Sequence, residues 1–87
     1  MSKEDKMIER LRKCPLNYQF NEAIAIAKRF GYVLQNKGST SGSRVLLYRE
    51  ADGRKILLHR PHPDSTMKQY AVKQFLKMLI ESGDIDE

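Results

Sequence analysis

The sequence holds two histidines, and both lie in the stretch "LHRPHP", where Arg60 and Pro61 separate His59 from His62. Imidazole can take or give a proton near neutral pH, and a guanidinium carries a permanent charge suited to phosphate. Cutting RNA without a metal needs a base for the 2'-hydroxyl proton, an acid for the leaving oxygen and cations for the phosphorane. His59, His62, Arg44 and Arg60 are residues of those types. Spacing alone does not bring them together, and a single histidine at a strand end more often serves as a hydrogen-bonded structural residue.

The same stretch has a mechanical meaning. Pro61 and Pro63 hold the residues before them in extended conformations, so His62 is expected on a stiff, exposed connector. Beyond it, Lys68, Lys73 and Lys77 place positive charge on the helix that the connector feeds. The start of that helix, capped by Ser65 or Thr66, offers free N–H groups to a phosphate. His62, nearest to this helix start, is the first choice for proton transfer, with His59 orienting it or acting as the second carrier. Arg44, Tyr48, Arg60, Lys68, Lys73 and Lys77 make up the expected RNA-binding set.

Other chemistries find less support. There is no Ser-His-Asp order and no carboxylate cluster, and "KGSTSG" lacks the Lys-Ser/Thr ending of a phosphate-binding loop. Cys14 is the single cysteine, which excludes an intrachain disulfide, and no Cys/His set has zinc-site spacing. No metal or cofactor is expected. Asp5, Glu9, Glu22 and Glu81 fit helix faces and read as solvated charge.

These candidates need a scaffold, and 87 residues suffice for one domain with a thin core. With 40% apolar and 31% charged residues the balance is globular, and the formal charge of +5 favours partners rich in phosphate or carboxylate. No apolar run approaches the roughly 20 residues of a membrane span. The polar start "MSKEDKMIERLRKCP" lacks a signal-peptide character, so a cytoplasmic protein is expected.

Residues 1–15 read as a helical extension, with Ser2 and Asp5 as a capping pair and Met7, Ile8, Leu11 and Cys14 at helical spacing. "PLNYQF" reads as a connector. "NEAIAIAKRFG" predicts a helix capped by Asn21, with Ala23, Ile24, Ala27 and Phe30 on one face and Gly31 at its end. The period then shortens to that of strands: "YVLQNK", "SRVLLYRE" and "RKILLH", with "GSTSG" as the first turn and Asp52-Gly53 marking a hairpin. Val45 and Leu47 share one face of the middle strand, and Arg44, Leu46 and Tyr48 the other. Val72, Phe75, Leu76 and Leu79 form the apolar stripe of a last helix that Gly83 ends, with Gln69, Lys73 and Lys77 on another face. The expected fold is α+β: a three-stranded antiparallel sheet with helices packed on one face.

Several segments together resemble a known family. "FGYVLQNKG", the "GSR" of Gly42 to Arg44, the "HP" of His62-Pro63 and the tail "MKQYAVKQFLKMLIESGDI" are similar to the HicA toxins, small RNA-cleaving proteins of HicA/HicB toxin-antitoxin pairs. The resemblance runs from Asn21 to Ile85. It implies a fold like the double-stranded RNA-binding domain, an mRNA substrate, a HicB-like antitoxin that masks the basic surface, and metal-independent cleavage by a histidine. The family places that histidine in a Gly-Ser-His at the start of the middle strand. Here Arg44 stands there if "GSR" is the equivalent, or Thr40 if "GST" is, and neither can act as a histidine base. Three functions therefore stay open: an mRNA-cleaving toxin, a non-catalytic RNA-binding module of the same fold, and a protein-interaction domain for an acidic partner.

Overall fold

Helix α1 (Lys3–Arg12) starts where the sequence predicts, because the Ser2 hydroxyl accepts the Asp5 N–H at 3.1 Å. The computed structural model describes residues 2–35, 44–61 and 64–86. After α1 come α2 (Phe20–Arg29), β1 (Val33–Leu34), β2 (Arg44–Arg49), β3 (Arg54–His59) and α3 (Gln69–Glu81). The strands form one antiparallel sheet in the order β1-β2-β3, giving the α+β class expected from the change of period.

The alternation in β2 and β3 settles which sheet face is inward. Val45 lies opposite Leu58 and Leu47 opposite Ile56, and all four are buried in one cluster with Ala23, Ile26 and Ala27 of α2 and Val72, Phe75 and Leu79 of α3. Helix α1 adds Leu11 to the same cluster, so the helices cover one face of the sheet. The opposite face carries Arg44, Leu46 and Tyr48 across from His59, Leu57 and Lys55. The Gly83 terminator has a φ of +85° and Gly53 of the hairpin a φ of +69°, both left-handed values that favour glycine.

Three boundaries differ from the sequence reading, each for a local reason. Helix α2 is capped by Gln19 and not by Asn21, because Glu22 sits where its carboxylate can accept the Gln19 N–H at 2.8 Å. Glu22 also pairs with Arg10 of α1, so it is a structural charge and not a merely solvated one. Ser65 and Thr66 do not cap α3. The Ser65 hydroxyl donates to Gln19 Oε1 at 2.7 Å and Thr66 Oγ1 accepts from Gln19 Nε2 at 3.0 Å, leaving Lys68 at the cap position without a side-chain bond. Of the strand expected over "YVLQNK", Val33 and Leu34 pair as β1 and the Gln35 N–H extends the pairing to the Leu46 carbonyl, while Tyr32 turns into the core at 1% exposure. Asn36, Lys37 and the "GSTSG" turn lie outside the described residues.

The connector "PLNYQF" does more than connect. Tyr18 and Phe20 are core residues, and the Phe20 N–H donates to the Ser65 carbonyl at 2.7 Å while the Met67 N–H donates to the Tyr18 carbonyl at 2.8 Å. These bonds fix the segment entering α3 against the segment entering α2. Fully burying a side chain such as Phe75 or Leu79 contributes about 1.5–3 kcal/mol, and that burial holds the helices over the sheet.

At the hairpin end, Arg49 is a hub. Its guanidinium donates to the Phe30 carbonyl at 2.9 Å, to Asp84 at 2.7 Å and to Asp52 at 2.7 Å, and it lies over the Tyr32 ring at 4.6 Å. It thereby ties the end of α2, the β2–β3 turn and the turn after α3 together. Gly31 permits this: its φ is +96°, and a Cβ there would come within 3.3 Å of the Arg49 side chain. No helix among the described residues is long and apolar enough to cross a membrane.

Candidate nucleic-acid interface

The far end of the sheet gathers the charges that Arg49 and its partners do not use. Strand β3 ends on His59, and the antiparallel register sets His59 directly opposite Arg44, the first residue of β2. The Gln35 N–H donates to the Leu46 carbonyl at 2.9 Å, so Leu46 directs its backbone toward β1 and its neighbours Val45 and Leu47 direct theirs toward β3. Arg44 and His59 are therefore a non-hydrogen-bonded pair, with Cα atoms about 4.5 Å apart and side chains on one face. That face is the open one.

From His59 the chain passes through Arg60 and Pro61. The Arg60 guanidinium lies 5.5 Å from the centre of the Phe20 ring, which steadies a side chain that is otherwise exposed. Across from this segment, the start of α3 supplies Lys68 and Tyr70. Between them runs a groove of about 550 Å³ lined by Leu57, His59, Arg60, Lys68, Tyr70 and Met78 among others. Its floor is apolar and its rim cationic. Among the described residues no acidic residue lines it, and His59, Arg60, Lys68, Lys73 and Lys77 form no ion pair.

The candidate residues thus fall into groups. His59, Arg60 and Lys68 line one groove, and Arg44 faces His59 across the strand pair. Lys77 and Lys73 lie outside the groove lining. At 100° per residue, Lys77 stays close to the direction of Tyr70, whereas Lys73 turns toward the Gln69 side. There the Gln69 amide donates to the Cys14 carbonyl at 3.0 Å. Tyr48 lies opposite Lys55, nearer the hairpin. His62 lies outside the described residues, as do Pro63 and the Gly42-Ser43 that precedes Arg44.

Two groove residues were not singled out from the sequence. Tyr70 is 70% exposed and Leu57 46% exposed. Leu57 carried a signal: adjacent leucines in a strand must point to opposite faces, so Leu57-Leu58 commits one leucine to solvent. Tyr70 sits off the Val72, Phe75 and Leu79 stripe, which leaves it outward by helical geometry alone. The groove that joins them depends on how closely α3 approaches the β3 edge, a distance that no local pattern encodes. Among the described residues no group of three or more His, Cys, Asp or Glu could hold a metal ion.

Residues 20–79, well over half the chain, match the family of the HicA toxin of bacterial toxin-antitoxin pairs. The match takes in α2, the whole sheet and most of α3, and leaves α1 outside it. No curated protein and no solved structure matches the chain.

Proposed function

The chain belongs to the HicA toxin family, and on that premise we propose that it acts as a toxin that grips mRNA at the His59 end of its sheet and cleaves it there. Its expected protein partner is a HicB-like antitoxin. The observation that supports this most strongly is the direct pairing of His59 with Arg44. Arg44 occupies the start of the middle strand, the place of the family's Gly-Ser-His histidine if "GSR" is the equivalent, and arginine cannot serve as a base because it stays protonated. The register places an imidazole on the neighbouring strand instead, one residue across, on the same face. The proton-transfer group has in this reading moved from β2 to β3.

The chemistry follows from the parts. The 2'-oxygen of the RNA attacks its own phosphorus while the bond from phosphorus to the 5'-oxygen breaks, leaving a 2',3'-cyclic phosphate and a 5'-hydroxyl. Of the two histidines the sequence favours His62 for proton transfer, but His59 is the one paired with Arg44, so in this reading the His59 imidazole takes the 2'-hydroxyl proton and His62 is the second carrier that returns one to the 5'-oxygen. Arg44 and Arg60 stabilise the charge on the phosphorane, and Lys68 draws the backbone into place. The exposed Tyr70 ring suits stacking by an unpaired base, which favours single-stranded over duplex RNA.

Incubating the purified protein with a single-stranded RNA and analysing the product ends tests this reading. Cyclic phosphate and 5'-hydroxyl ends are expected. Binding without any cleavage would leave the groove as a non-catalytic RNA grip, and failure of both would remove RNA from the account.

A further inference from the structure

We propose that the outer edge of β3 is a docking site for an extended acidic protein segment, which adds to the sheet as a fourth strand and lays alternate side chains into the groove beside α3. The proposal goes beyond the RNA reading: it stands on the strand edge and the groove, which the protein segment and RNA would occupy in turn.

Strand β3 is an edge of the sheet. Because Val45, Leu47 and Arg49 direct their backbones to Leu58, Ile56 and Arg54, the intervening residues Lys55, Leu57 and His59 point their N–H and C=O groups outward. Six strand residues at about 3.4 Å each make an edge of roughly 20 Å, long enough for a segment of five or six residues. A strand laid there would have every second side chain over the groove between β3 and α3, whose floor includes Leu58, Met67, Ala71 and Met78. An edge strand flanked by a helix, with a groove between them, is the arrangement in which main-chain pairing gives affinity and pockets for alternate side chains give specificity.

Charge identifies the occupant. Lys55 of β3 and Arg60 and Lys68 of the groove flank the edge, with no acidic residue among the described residues lining the groove, so a docking strand should carry Asp or Glu with apolar residues between them. A second copy of this chain fits badly. Two β3 strands paired antiparallel about a two-fold axis at Leu57 would set Arg54 of one against Arg60 of the other at both ends of the pair, and like charges directly opposite destabilise a strand pair. The same lysine and arginine content is what ordinarily guards an edge against self-association.

The test uses nuclear magnetic resonance on the full chain with three probes: a blocked ten-residue peptide of alternating Val and Glu, its Val and Lys counterpart, and single-stranded oligouridine. The acidic peptide is expected to shift the Lys55, Leu57 and His59 amides and slow their hydrogen exchange, with much weaker effects from the basic one. Leu57→Pro removes one outward N–H while leaving the β2–β3 ladder intact, and should weaken the acidic peptide up to about tenfold. Arg60→Glu with Lys68→Glu, which leaves the edge backbone untouched, should abolish the preference for the acidic peptide even if the proline variant fails to fold. Equal binding of both peptides, no binding of either, or full acidic-peptide affinity in these variants would overturn the proposal. So would shifts of the β3 amides by oligouridine alone, which would assign the groove to RNA.

Discussion

The two ends of the β2–β3 ribbon carry cationic side chains to opposite purposes. At the hairpin end Arg49 is nearly enclosed, with 12% of its side chain exposed, and its charge is divided between Asp52, Asp84 and the carbonyl of Phe30, the residue that follows α2. Those hydrogen bonds raise its pKa further, and the Asp52 carboxyl is held below its usual range by the same contact. At the other end Arg60 and Lys68 stand exposed beside His59 around a groove with no acidic side chain among the described residues that line it. Paired charge inside a fold fixes geometry, while unpaired charge on a surface is available to a ligand. The contrast teaches that cations of one ribbon differ in function: Arg49 helps hold the scaffold, while Arg60 and Lys68 at the opposite end remain for phosphate or carboxylate.

The strongest way to break this comparison is at His59. If it is the proton carrier, His59→Ala should lower cleavage by about 100-fold to 10,000-fold while RNA affinity stays within a factor of a few. A variant that lost binding and cleavage together would make His59 a grip and not a catalyst. The next largest effect is expected at the other end. Arg49→Met leaves Asp84 partly buried without its partner and should cost about 3 kcal/mol, read from urea unfolding, with little change in the RNA affinity of the folded protein. Parallel losses of stability and affinity would erase the distinction between the ends.

Smaller effects sharpen the picture. Neutralising Lys68, Lys73 and Lys77 together should reduce the salt slope of single-stranded RNA binding by at most about 2, since each phosphate contact contributes about 0.7. Taken singly, Lys68→Gln should flatten the slope more than Lys73→Gln, because Lys68 lines the groove and Lys73 does not. The least change is expected from Glu22→Gln. The Arg10 hydrogen bond holds the Glu22 carboxyl below its usual range. Stability from that pair is present above the unfolded-state pKa of about 4.3 and is lost as pH falls through the lower folded value. The variant should therefore lose less than about 1 kcal/mol near pH 7, the pair being partly solvent-exposed, and should show a flatter stability curve in acid.

Much of the scaffold was legible because its determinants are local. The Ser2 cap, the Gly31 and Gly83 ends, the Asp52-Gly53 turn and the Val72, Phe75 and Leu79 stripe each depend on a few neighbouring residues. The Gln19–Thr66 bridge was not legible, since it joins positions far apart in the chain and diverts the Ser65 and Thr66 hydroxyls from the cap they would otherwise make. Arg49 escaped notice for the same reason: its partners Phe30 and Asp84 come from separate segments. At the candidate site the residue types pointed to phosphate chemistry, but the pairing of His59 with Arg44 needed a register. That register follows from closing the hairpin between Arg49 and Arg54.

One measurement bears most directly on the claim that proton transfer has moved across the strand pair: the cleavage rate of the His59→Ala, Arg44→His double variant on single-stranded RNA, set beside His59→Ala alone. Arg44→His returns an imidazole to the opposite strand of the same pair. The account predicts that it restores at least about tenfold of the rate that His59→Ala removes, within the range assigned to one acid–base group. A double variant as slow as His59→Ala, or a His59→Ala protein that cuts at the unmutated rate, would contradict it.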